Sequence, residues 1–141
     1  MSTWFATLMA WWGTLVGQAD VDVECLVLGG LDVARAHAYA VDDPRLLDQV
    51  YSDDELRSAD ERVMRAYRAR GLVLGGVGTE RLSCRVARRD DGRVQLDVVD
   101  RLGGAWVDQG GRRTSLPTDE PSRRTIVLAS TPEGWRVASV A

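Results

Sequence analysis

Asp100 is the residue of this chain whose position most invites chemistry. It follows Val94, Leu96 and Val98 at intervals of two. If those three face the core of a strand, the same parity turns Asp100 inward near the strand's end. A carboxyl buried there must be hydrogen-bonded, neutral or paired with an arginine, and a group so placed could serve as acid or base. The plainer expectation is that the strand has ended, or that Asp100 pairs with an arginine at the rim. Asp60 is a second candidate acid, but as the N-cap of a helix it would need no further role. Tyr39, Tyr67, Trp106 and Trp135 read mainly as core aromatics. Trp106 is the best placed of them for a pocket mouth, because Gly103-Gly104 stands just before it. The candidate pocket set is therefore Tyr39, Tyr67, Asp100 and Trp106.

Other site chemistries find little support. His37 is the single histidine, and it falls to the side of its helix's apolar face, as a boundary residue would. A Ser-His-Asp triad or a His-based metal site lacks partner motifs. No glycine-rich phosphate loop follows a strand, and no carboxylate–histidine cluster occurs, so neither a cofactor nor a metal is expected. Cys25 and Cys84 are too few for a disulfide framework and lack metal-knuckle spacing. Two small buried apolar side chains are expected, with one bridge as the alternative if the chain before the first helix lies over the strand carrying Cys84.

The elements that must hold these residues are read from periodicity. Val27, Leu31, Ala34, Ala38 and Val41 recur at helical spacing, although Gly29-Gly30 would cost about 1 kcal/mol each against alanine in a helix interior. That cost places the true helix start near Leu31. Asp43 caps and Pro44 opens a short helix that buries Leu46, Leu47 and Val50. Ser58 or Asp60 then caps a third helix running to Arg70, with Val63, Met64 and Tyr67 buried and Gly71 as its stop. Beyond Gly71 the period becomes alternating. Leu82, Cys84 and Val86 share one face of a strand, Asp90-Asp91-Gly92 turns it, and Val94, Leu96 and Val98 share a face of the next. A short strand around Trp106 precedes an irregular stretch to Ser122. Thr125–Ala129 and Trp135–Val140 form the last two strands. Helices followed by an antiparallel sheet make an α+β fold.

Two domains of unequal size are expected, 1–25 as a Trp-rich helical segment and 26–141 as the folded body. Trp4, Phe5, Leu8, Met9, Trp11, Trp12, Leu15 and Val16 form one stripe of a helix with no charged residue before Asp20. Three fates fit this segment. It could be a signal peptide lacking a positive start, a membrane-associated helix too short to span, or a helix packed on its own domain or a twin. Trp4, Phe5, Leu8, Trp11 and Trp12 are the candidate membrane or interface residues.

Composition narrows the partners. The chain has 141 residues, is 45% hydrophobic and 28% charged, and so should fold as a single-core body. All 18 cationic side chains are arginine, a bias of the kind a GC-rich genome produces, and the net charge is -3. Arg88/Arg89, Arg112/Arg113 and Arg123/Arg124 are short and interrupted by acids. Nucleic acid is not the expected partner.

The run LDVARAHAYAVDDPRLLDQVYSDDELRSADERVMRAY, then RGLVL, the hairpin with VQLDVVDRL and the ending TIVLASTPEGWRVASV resemble a bacterial nuclear transport factor 2-like domain. The resemblance covers about Leu26 to Ala141. It implies a cone of N-terminal helices packed on one curved antiparallel sheet of about four to five strands, with Tyr51 as an aromatic reached by the short helix. It does not imply one activity, because this superfold hosts isomerases, polyketide cyclases, dehydratases and adapters. The ketosteroid isomerase members place a base on a strand where this chain reads as helix, and their first-helix tyrosine falls near Arg35 here.

The resemblance thus leads to a non-catalytic domain that binds a partner protein or a small apolar ligand in its cone, as a homodimer through the sheet. The apolar N-terminal segment places its work at a membrane or outside the cytoplasm, in an envelope assembly. The alternatives are an isomerase-, cyclase- or dehydratase-like enzyme using Asp100 on a hydrophobic substrate, and a homo-oligomerisation module whose interface is the Trp-rich helix.

Overall fold

A computed structural model describes residues 22–141. Trp4, Phe5, Leu8, Trp11 and Trp12 lie outside the described residues, as does most of the 1–25 segment. Helix α1 spans Val23–Ala40. A 3-10 helix follows at Pro44–Gln49, and α2 at Asp54–Ala69. Seven strands complete the chain: β1 Val73–Gly75, β2 Gly78–Asp90, β3 Arg93–Gly103, β4 Trp106–Gln109, β5 Arg112–Ser115, β6 Ser122–Thr131 and β7 Gly134–Val140. The fold is α+β, with the helices packed against antiparallel sheets.

The single sheet of the expectation is in fact two. The larger has the order β2-β3-β6-β7 and the smaller the order β1-β4-β5. The small sheet collects segments with almost no alternation, Val73–Gly75 and Arg112–Ser115, so period alone reads the latter as irregular.

Local signals set the helix ends. Asp43 accepts a hydrogen bond from Arg45 N at 3.1 Å and Pro44 opens the 3-10 helix. Gly71 stops α2 with φ of 71°, a left-handed conformation suited to glycine. Two starts differ from expectation. The N-cap of α2 is Asp53, whose carboxylate accepts from Leu56 N at 3.0 Å. Asp60 lies inside the helix, one and a half turns or so further on. Helix α1 begins at Val23 and runs straight through Gly29-Gly30. Its first turns are secured by tertiary contacts that offset the glycine cost: Leu28 is 1% exposed and Cys25 is bridged to Cys84 of β2. The two cysteines are thus a disulfide with Cα atoms 6.1 Å apart, in place of the separate apolar side chains expected.

The large sheet shows the predicted parity on β3, where Val94, Leu96, Val98 and Asp100 are all buried. Leu96 meets Leu128 in the core, both fully buried, each contributing about 1.5–3 kcal/mol of apolar burial. On β2 the parity breaks. Arg81 pairs with Asp100 and Ser83 with Val99, leaving Leu82 as the extra residue of a β-bulge and 51% exposed. The inward face of β2 is consequently Arg81, Cys84 and Val86, and Leu82 is not part of it. One inserted residue brings an arginine to the interior.

A buried two-acid site between helices and sheet

A cavity of about 390 Å³ opens between the helices and the large sheet, within the size range of small-molecule sites. Leu28, Val50, Leu74, Val77, Ile126 and Val137 give it apolar walls. Two acids enter from opposite layers, Asp60 from α2 and Asp100 from β3. They are the two buried charged side chains among the described residues.

Asp60 is held by three elements. Arg35 on α1 donates from Nε to Oδ2 and from Nη2 to Oδ1, both at 2.8 Å, a bidentate clasp. Tyr39, one turn further along α1, donates its hydroxyl to Oδ1 at 2.6 Å. Tyr51 donates to Oδ2 at 2.6 Å. Tyr51 is fixed by a backbone bridge to β7, where Val137 N donates to Val50 O at 2.7 Å and Ser52 N to Val137 O at 3.0 Å. Each carboxylate oxygen therefore accepts two hydrogen bonds, and no lone pair is left for a proton. Burial alone would raise the Asp60 pKa, but the Arg35 hydrogen bonds and charge, with the two phenols, hold it below the usual carboxylate range. Burial and the same carboxylate push the phenols of Tyr39 and Tyr51 up.

Asp100 is clasped more loosely. Arg81 Nη2 donates to Oδ2 at 3.2 Å, and the other arm of Arg81, Nη1, donates to Asp32 of α1 at 2.7 Å. Arg124 on β6 pairs across from Val98, the diagonal neighbour of Asp100 on the same face, and brings Nε to 3.2 Å from Oδ1. That approach satisfies a charge pair but not hydrogen-bond alignment, so Oδ1 has no hydrogen-bond partner, and neither does the buried Arg81 Nε. Burial pushes the Asp32 pKa up, outweighing the opposing pull of Arg81.

Of the four pocket candidates, Tyr39 and Asp100 line the cavity. Tyr67 packs instead beside the buried cluster of Ala38, Leu47 and Met64. Trp106 belongs to the small sheet, where its ring lies on the backbone of Gly75-Gly76, which leaves no room for a Cβ. Its other contact is Arg113, whose guanidinium is 4.2 Å from the ring centroid. The glycines that matter to Trp106 are thus Gly75-Gly76, not the pair just before it. His37 is exposed, as a boundary residue would be. Sequence reasoning passed over Arg35, Arg81, Arg124 and Asp32. For Arg35 and Tyr39 a signal existed, since an i, i+4 pair of this kind on a core-facing stripe requires a buried acceptor.

Among the described residues no group of three or more histidine, cysteine or acidic side chains is arranged to hold a metal ion. No helix of the described residues is long and apolar enough to cross a membrane.

No family model matches this chain, and no curated protein matches it. Among solved structures, it is similar to the intermembrane space region of chloroplast protein ARC6. The TM-score is 0.57 at 12% identity, over 86% of this chain and 95% of that one. At that identity the likeness speaks for the fold alone.

Proposed function

We propose that this chain is a nuclear transport factor 2-like binding domain that works outside the cytoplasm, taking a small apolar ligand or an apolar segment of a partner into the cavity between helices and sheet. The observation that carries the reading is the state of the cavity's acids. Asp60 has every lone pair occupied, and Asp100 is countered by two arginines, so neither stands as a ready base. Apolar walls around fixed polar groups suit recognition. The disulfide supports an oxidising compartment, since such bonds persist in secreted and envelope spaces. A homodimer through the sheet and a place in an envelope assembly belong to the same proposal.

The test uses the neutral dye N-phenylnaphthylamine, which fluoresces in apolar surroundings. A rise in emission is expected with the intact chain. Val63→Trp should remove it, because Val63 is 40% exposed yet lines the cavity and can carry a larger ring without disturbing the core. No rise with the intact chain would sink the proposal.

The enzyme reading keeps one supporting observation, the unpartnered Oδ1 of Asp100. It expects Asp100→Asn to abolish turnover of an identified substrate with the fold intact.

A further inference from the structure

We infer that the sheet side of the cavity is a subsite for a neutral head group that both donates and accepts a hydrogen bond, a hydroxyl or a primary carboxamide at the end of an apolar body. This rests on the binding reading above and specifies its ligand. Two buried side-chain atoms in the cavity wall lack hydrogen-bond partners, and they are complementary: Arg81 Nε is a donor and Asp100 Oδ1 an acceptor. They belong to residues already joined to each other through Arg81 Nη2 and Asp100 Oδ2. The Asp100 side chain is only 4% exposed, so bulk water does not satisfy it. A buried unmet donor or acceptor costs about 1–3 kcal/mol, which a ligand group reaching both would recover.

Charge decides the class of head group. Arg81 and Arg124 face Asp32 and Asp100 in this cluster, and Arg35 faces Asp60 across the cavity. Each cation has an acid, so the walls carry no excess positive charge to neutralise a carboxylate. An ammonium would meet acids that are already shared with arginines. A charged head group would be desolvated without a counterion, whereas a hydroxyl or carboxamide completes both open atoms. The tail then lies against Leu28, Val77 and Ile126.

The experiment titrates the full chain with octanol, octanamide, octanoate and octylamine at neutral pH, followed by heteronuclear NMR shifts. Octanol and octanamide are expected to bind about tenfold or more tighter than the two ions, a difference of about 1.4 kcal/mol. In Asp100→Asn the cluster gains one net positive charge, so the order should change, with octanoate overtaking octylamine and approaching octanol. Equal binding of all four to the unaltered chain would overturn the subsite while leaving the binding reading in place, because the head group would then sit in solvent. Octanoate or octylamine binding more tightly than octanol would also overturn it. No shifts with any of the four would remove the binding reading and the subsite together. If Asp100→Asn fails to fold, the order of the four probes on the unaltered chain decides alone.

Discussion

Asp60 and Asp100 enter one cavity from facing layers, and each is more than nine-tenths buried, yet they are solved differently. Around Asp60 the donors come from α1, the segment after the 3-10 helix, and α2 itself, so a single carboxylate ties three elements and is fully satisfied. Around Asp100 the partners come from neighbouring strands, whose register fixes where the guanidinium groups stand, and the satisfaction is incomplete. Helices meeting at a corner can aim side chains from several directions at one point. Strands in a ladder offer only the same face and its diagonals. The first acid is therefore a fastening of the fold, and the second retains an atom for something else.

The largest effect that would sharpen this contrast is Asp60→Asn. It leaves Arg35 with a buried, uncompensated charge and should cost about 3–5 kcal/mol in urea unfolding. Asp100→Asn should cost clearly less, since Arg81 keeps Asp32 and the Arg124 side chain is 47% exposed. Equal losses would break the distinction.

Reducing the disulfide comes next, at about 2–4 kcal/mol for a closure spanning 59 residues. Because Cys84 follows Arg81 on β2 and Cys25 lies two turns before Asp32, amide exchange on reduction should rise around the Asp100 cluster more than around Asp60.

Tyr51→Phe should then cost about 1.5–3 kcal/mol, the range for a hydrogen bond to a charged group. The pH dependence carries the same contrast. The phenols of Tyr39 and Tyr51 have folded pKa values raised above the unfolded value of about 10. Their contribution is thus fully present below about pH 10 and lost as pH rises through the folded values. A denaturation midpoint flat from neutral to about pH 9 and falling above about pH 10 is expected, with a shallower fall in Tyr51→Phe. On the acid side the lowered Asp60 gives stability that is present above its unfolded pKa of about 4 and lost as pH falls through its folded value. Asp32, raised by burial, works in the opposite sense. It binds its proton sooner in the folded state, so stability rises as pH falls through its folded value toward about 4.

The smallest effect is a reference point away from both acids. A Cβ added at Gly30 meets nothing within 4 Å, so Gly30→Ala should stabilise by about 0.4–1 kcal/mol and leave every probe affinity unchanged.

What sequence could tell depended on the reach of each signal. The cap at Asp43, the stop at Gly71 and the turn at Asp91-Gly92 are set within a few residues, and they are where the spacing puts them. Parity also carried Asp100 inward, because β3 is regular over its length. Asp60 was hidden by its neighbours: SDDELRSAD offers several capping side chains, and only Asp53 has the β-region backbone that an N-cap needs. Its burial depends on Arg35 and Tyr39, 25 and 21 residues earlier, which no local pattern reports. The Cys25–Cys84 pairing and the docking of Trp106 on Gly75-Gly76 are non-local in the same way. Gly29-Gly30 misled in the other direction, since an intrinsic cost of about 1 kcal/mol per glycine is small beside the tertiary contacts of α1.

The bulge at Leu82 has a consequence for how this strand can change by descent. Residues on either side of it keep the pairings Arg81 with Asp100 and Ser83 with Val99, as they would in an unbroken ladder. A lineage that lost codon 82 would therefore retain the cavity's arginine and the disulfide, and forfeit only a local bend and a half-exposed leucine. Loss of a codon anywhere in the regular run from Val94 to Asp100 would instead move part of that strand's inward set to the outer face. Gaps in β2 at this point are tolerable history, whereas gaps in β3 would mark a different protein.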